Sequence, residues 1–210
     1  MIEPRVIEPT RMEIQPDISQ ANVDTLITVY GGSGFLGRHV IRALCKRGYR
    51  IRVAVRRPEL AGHLQPLGRV GQIHAVQANL RYADSVAAAV RGSQVVINLV
   101  GILHEGKVSR VDLPSARRGD FQKVHIELPR KVIHACGESG VHRLLHMSAL
   151  GAHPNSRSAY QRSKGIAEAL VREAGMSHVE HENWYLNGPK FIHGYGLNTT
   201  IFRPSVIFGR

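Results

Sequence analysis

Seven residues, Gly31-Gly32-Ser33-Gly34-Phe35-Leu36-Gly37, do most to limit what this chain can fold into. They follow a short β-branched and apolar run, Leu26 to Tyr30, and open a stretch in which Leu36, Val40, Ile41 and Leu44 share one helical face. A second run of the same kind, Ile51 to Val55, comes next. Glycines at such a strand-to-helix junction have separate tasks. Gly31 permits the tight turn, Gly34 lets the backbone approach a bound group with no Cβ in the way, and Gly37 allows close packing of helix on sheet. The helix start then presents unpaired N–H groups and the positive end of a dipole, which together favour a diphosphate.

The pattern continues along the chain. Candidate strands at Leu26 to Tyr30, Ile51 to Val55, Ile73 to Gln77, Val95 to Val100, Leu144 to Ser148 and Thr200 to Arg203 alternate with amphipathic stretches. Helices are expected between the first two strands and at Asp84 to Val90, Phe121 to Cys136 and Ala159 to Glu173. Such alternation predicts an α/β fold, a Rossmann-type doubly wound parallel sheet with strand order 3-2-1-4-5-6. Residues 25–210 form the expected single domain, and residues 1–24, aperiodic with three prolines, an extended N-terminal arm. Two polar loops are expected at 104–118 and 176–198, the second longer than an ordinary connection.

Composition excludes several classes. The net charge of +12 comes from basic residues scattered in short clusters such as Lys46-Arg47, Arg56-Arg57 and Arg117-Arg118, which suits solvated helix ends and argues against a nucleic-acid partner. Cys45 and Cys136 show no CxxC spacing, as in a reducing compartment. The first residues lack the basic start and apolar run of a signal peptide, and no apolar stretch is long enough to span a bilayer. A cytoplasmic chain is expected, with at most peripheral membrane contact. Twelve histidines, among them His178, His181 and His193, come without HExxH or CxxC spacing, so no metal site is expected. Neither Ser33 nor Ser148 lies in a GxSxG elbow, which argues against a hydrolase.

A dinucleotide is the anion that fits the turn, held by Gly31, Gly32, Ser33, Gly34, Phe35, Leu36 and Gly37. NADP(H) is expected ahead of NAD(H). An acid after the second strand would bond a free ribose 2′-hydroxyl, whereas this chain has Arg56-Arg57-Pro58 and no carboxylate before Glu59. Two guanidiniums suit a 2′-phosphate by charge and by bidentate geometry.

The glycine spacing, Tyr160 and Lys164 in a Tyr-x-x-x-Lys arrangement, and Arg203-Pro204-Ser205 followed by Gly209 resemble the extended and atypical short-chain dehydrogenase/reductases, the NAD-dependent epimerase/dehydratase-like proteins. Within that group, the stretches Val29 to Arg38, Leu145 to Ala152 and Phe202 to Gly209 look like the cofactor-binding accessory subunit of respiratory complex I and its bacterial relatives. The resemblance implies that Asn79, Leu80, Val100, Gly101, Lys164 and Pro204 also line the cofactor groove. It implies Tyr160 as proton donor or acceptor, Lys164 lowering its pKa, and Ser148 bonding the reacting oxygen. Asn79 stands where the resemblance implies an Asp, and His125 where it implies an Asn. Arg210 falls one strand into the region where extended members build a substrate domain, so a truncated substrate region is expected. Two functions remain open: a module that holds NADPH in a respiratory or quinone-related assembly, at the inner face of a respiratory membrane, or a reductase, epimerase or dehydratase acting through Tyr160 and Lys164.

Overall fold

The computed structural model describes residues 20–104, 120–176 and 195–207. Among them six parallel strands form one sheet: β1 (Leu26–Tyr30), β2 (Arg50–Val55), β3 (Ile73–Gln77), β4 (Val95–Asn98), β5 (Arg143–Met147) and β6 (Asn198–Phe202). Their order is β3-β2-β1-β4-β5-β6, as the alternation predicts. β1 is flanked by β2 and β4, Val29 lying opposite Val53 on one side and Ile97 on the other. The direction of strand progression reverses at β1, and open sheets of this kind form a ligand crevice at that point, beyond the strands' carboxyl ends.

Both faces of the sheet are covered. α2 (Phe35–Lys46) and a series of 3-10 turns over Pro58–Leu67 pack on one face, where Ile27, Val29, Ile41, Ile51, Val53 and Leu64 form a core. On the other face, α3 (Ala83–Val90), α4 (Leu128–Glu138) and α5 (Ala159–Ala174) enclose Tyr30, Val86, Val132, Ile133, Leu144 and Val171. β1 is therefore buried on both sides. Its polar groups are paired inside the protein, Thr28 donating to the Ala89 carbonyl at 2.9 Å and Tyr30 to the Val86 carbonyl at 2.7 Å.

Some segments differ from the sequence expectation. The arm expected as extended ends in a short helix, α1 (Gln20–Asp24), where Thr25 Oγ1 donates to the Ala21 carbonyl. The helix expected from Phe121 to Cys136 runs on without interruption to Glu138, but its first turns, Gln122–Glu127, are π-helical ahead of α4. Pro129 accounts for the change of pitch, because it has no N–H to offer the carbonyl of His125 four residues earlier. The last strand starts at Asn198, so the expected loop 176–198 gives up its final residue to β6. Most of that loop, the 105–119 segment and Gly209 lie outside the described residues.

β6 is held at the sheet edge by a buried carboxylate. Glu168 of α5 accepts from Arg203 Nε at 2.8 Å and from its terminal nitrogen, and from Arg172 at 3.2 Å. These donors hold the Glu168 carboxyl below its ordinary value of 4.5 against a desolvation that would raise it. A carboxylate with a lowered folded pKa contributes stability in full above the unfolded value and loses it as pH falls through the folded one. Glu168→Gln is expected to lower the urea midpoint at neutral pH. Its deficit against wild type should shrink as pH falls below the ordinary carboxylate value, as read by urea unfolding across a pH series.

Candidate functional site

The turn between β1 and α2 is shaped by the lack of side chains. Gly31 has φ of +76°, and a Cβ there would lie 3.1 Å from the Leu99 carbonyl carbon and the Val100 nitrogen, so the turn rests directly on the backbone that leaves β4. A Cβ on Gly32 would lie 2.7 Å from Val53 Cγ1 and 2.9 Å from Ile41 Cδ1. One on Gly37 would collide with the carbonyls of Gly31 and Gly32. Gly34 differs from these three. Exposed, with φ of −77°, it would bring a Cβ near only the Gly31 carbonyl, at 3.3 Å. Its open side faces solvent, as the surface on which a diphosphate could settle must. No side chain caps α2, so its first N–H groups are left for a ligand. Ser33 and Phe35 are exposed and Leu36 half-buried, and Arg38 in the first helical turn stands over the Phe35 ring at 5.6 Å.

Arg56 and Arg57 are both exposed immediately after β2. Asn79, after β3, is exposed and shapes its own turn, its side chain accepting from the Arg81 N–H at 3.2 Å while its N–H donates to Ser85. Leu80 and Val100 are half-buried, and Gly101 is exposed. These positions, with the glycine turn, occupy the carboxyl end of β1 to β4.

α5 carries the rest. Ser158 caps it, accepting from the Gln161 N–H, which fixes Tyr160 in the first turn and Lys164 one turn on. Lys164 is 4% exposed and donates to the Met147 carbonyl at 3.1 Å. Burial pushes its ammonium down to about 8, partly opposed by Glu168. Tyr160 is half-buried, its ring edge-on to Phe121 and His125, and burial pushes its phenol above the ordinary value. The pairing implied by the resemblance has Lys164 draw that phenol down; here desolvation acts on it the other way. Ser148 is 3% exposed and lies against Glu168, whose ionised form it favours, although its hydroxyl makes no hydrogen bond of ordinary geometry among the described residues. Pro204 is half-buried, and its carbonyl accepts from the Leu150 N–H at 2.8 Å, continuing the β5–β6 pairing past the strands.

Behind Lys164 stands a second group of polar residues to which sequence reading assigns no role. His146 is buried on the α5 side of β5, two residues from Ser148. Asn98 accepts from the Val100 N–H, so its amide nitrogen donates to His146 Nδ1 at 3.3 Å. Burial and the Lys164 charge push His146 down to about 4 and His125 down to about 3, so both imidazoles are neutral at pH 7. The signal for His146 lies in its being a polar residue in register with Leu144 on a buried strand face. His178, His181 and His193 lie outside the described residues.

The NAD(P)H-binding family matches residues 31–207. Subunit 9 of the mitochondrial NADH dehydrogenase (ubiquinone) 1 alpha subcomplex of Mus musculus is 34% identical over 184 residues, covering 87% of this chain and 41% of that protein. The 3 beta-hydroxysteroid dehydrogenase type 7 of Mus musculus is 33% identical over 213 residues, covering 90% of this chain and 52% of that one. The chain thus spans about half or less of the length of these relatives. Among solved structures, Pen from Bacillus thuringiensis superposes with a TM-score of 0.59 at 19% identity, over 70% of this chain and 46% of that one, a likeness of fold.

The contrast between Gly34 and Gly37 can be tested directly. Gly34→Ala, in a backbone conformation any residue adopts, should keep the melting temperature within a few degrees yet weaken dinucleotide binding by about tenfold or more, since a methyl then stands between anion and N–H groups. Gly37→Ala should cost roughly 1–3 kcal/mol of stability by overpacking. Thermal melts paired with fluorescence titration distinguish the two.

Proposed function

This chain belongs to the NAD(P)H-binding family, with the short-chain-dehydrogenase-like proteins, and we propose that within it the domain holds NADP(H), in preference to NAD(H), as a bound group in a respiratory or quinone-related assembly. The observation that carries the cofactor preference is the exposed pair Arg56 and Arg57 at the carboxyl end of β2, with no carboxylate before Glu59. On this reading residues Gly31 to Gly37 receive the diphosphate, Arg56 and Arg57 the 2′-phosphate, Asn79 and Leu80 the adenine side, and Val100, Gly101, Lys164 and Pro204 the nicotinamide side.

Holding without turnover is supported by the state of the side chains that chemistry would need. Ser148 is enclosed against Glu168, Lys164 is committed to the Met147 carbonyl, and the Tyr160 phenol is pushed up rather than down. The likeness to the mouse NADH dehydrogenase subunit supports the assembly, and with it peripheral contact at the inner face of a respiratory membrane. Among the described residues no helix is long and apolar enough to cross one. A second reading, a reductase, epimerase or dehydratase acting on a small hydroxyl or carbonyl substrate, is favoured by Tyr160 standing half-exposed one helical turn from Lys164.

Replacing both Arg56 and Arg57 with Ala should weaken NADPH at least about tenfold, since charge-assisted bonds to a phosphate are lost, and change NADH by less than about threefold. Equal losses for the two cofactors would remove the preference. In the full-length protein, NADPH consumption that disappears in Tyr160→Phe at unchanged affinity would decide for the second reading.

A further inference from the structure

Beyond β4 the chain leaves the sheet, and the N–H of Ile102 finds its acceptor in a side chain from another element. It donates to His125 Nε2 at 3.0 Å. The other ring nitrogen lies 2.8 Å from Ser163 Oγ, and that hydroxyl donates to the Tyr160 carbonyl at 2.7 Å. Proton placement follows from these three bonds. Ser163 spends its hydrogen on the carbonyl, so His125 Nδ1 is the donor to Ser163, and Nε2, accepting from Ile102, carries no hydrogen. Both nitrogens of a neutral imidazole are committed.

The ring is fixed from its faces as well. Phe121 stacks on it with centroids 5.1 Å apart, and Tyr160 meets it nearly edge-on at 5.5 Å. The loop lies close above. A Cβ on Gly101 would be 3.2 Å from Lys164 Nζ and 3.7 Å from His125 Nε2. His125 itself sits in the π-helical turn Gln122–Glu127, and such turns concentrate at functional sites, where the wider spiral re-aims a side chain.

We infer that His125 is a positioning residue that joins the Gly101–Ile102 backbone to the first turn of α5, making one rigid floor for the nicotinamide half of the dinucleotide. The inference rests on the dinucleotide reading above. With the diphosphate at the β1–α2 turn and the adenosine side over β2, the other half extends over the ends of β4 and β5. His125 takes no part in proton transfer there, because it has no free nitrogen. Burial and the facing groups Lys164 and His146 keep it uncharged, and Tyr160 and Ser163, which also face it, supply no opposing charge at neutral pH.

The test uses the full chain with two probes, NADPH and 2′-phospho-ADP-ribose, which lacks the nicotinamide. His125→Leu removes both ring bonds and should weaken NADPH at least about tenfold while leaving 2′-phospho-ADP-ribose within about twofold. His125→Gln, whose amide offers one acceptor and one donor, should recover most of the NADPH affinity. Equal losses for both probes in His125→Leu, or no loss for either, would overturn the role while leaving the dinucleotide reading intact. Wild-type protein that binds neither probe would overturn both. Should His125→Leu fail to fold, nitrogen-15 NMR of the wild type still decides. A neutral Nδ1–H tautomer with no titration near the ordinary histidine value, and a slowly exchanging Ile102 amide, are expected; the Nε2–H tautomer or a fast-exchanging amide refutes the bond.

Discussion

The structure depends on a backbone-to-backbone approach that no side chain would allow. β1 is the strand at which the sheet reverses direction, so the chain leaving it must clear the chain leaving β4, and Gly31 passes within a Cβ's reach of Leu99 and Val100. Gly32 and Gly37 close the same junction from the other sides, against Val53 and Ile41 and against the carbonyls of the turn itself. The direction of α2 is set by these contacts, and with it the aim of its free N–H groups. On the proposed reading, anion recognition at this place is a property of main-chain geometry, which the side chains around it tune without creating it.

Away from the turn, the protein buries a group of polar and ionisable side chains between β5 and α5. Lys164, Glu168, His146 and Ser148 are each no more than 4% exposed, in an interface whose neighbours are Leu144, Val171 and Ala174. The groups divide by protonation state. Glu168 stays ionised because two guanidiniums reach it, whereas His125 and His146 stay neutral because burial and the Lys164 charge oppose a second cation. Lys164 lies between these environments, with a pKa near 8 that leaves its charge sensitive to small changes nearby. An arrangement of this kind costs folding energy if any partner is missing, and so it ties the edge strand β6, through Arg203 and Glu168, to the same helix that presents Tyr160 and Lys164.

Much of this was legible in the residues. Strand order, the α2 helix and the glycine turn follow from short-range pattern, because a β-branched run, a turn without side chains and an amphipathic helix each write their requirement into adjacent residues. The places that read less well involve partners distant in sequence. Nothing local marks His125 as the acceptor for Ile102, or Glu168 as the partner of Arg203, 35 residues away. Pro129 carries the signal for the change of pitch between the π turn and α4, but periodicity across Phe121 to Cys136 reads the same on either side of it, and only the missing bond to the His125 carbonyl shows where the pitch changes. Ser148 was legible as a strand-end residue and not as a neighbour of Glu168, since sequence fixes the face a strand residue takes but not what the opposite helix brings to it.

Binding and turnover are physically separable in this architecture. The cradle needs only that four backbone positions lack side chains and that a helix begins where it does, conditions met at Gly31, Gly32, Gly34 and Gly37. Proton transfer needs a phenol able to ionise, and that requires a cation near its oxygen in a site shielded from water. In this chain the buried cation of α5, Lys164, is bonded to the Met147 carbonyl, and Tyr160 meets the neutral rings of Phe121 and His125. A lineage can therefore lose chemistry through side-chain rearrangement while every contact that grips a dinucleotide stays in place. The family pattern of Tyr and Lys, taken alone, reports a grip more securely than a reaction.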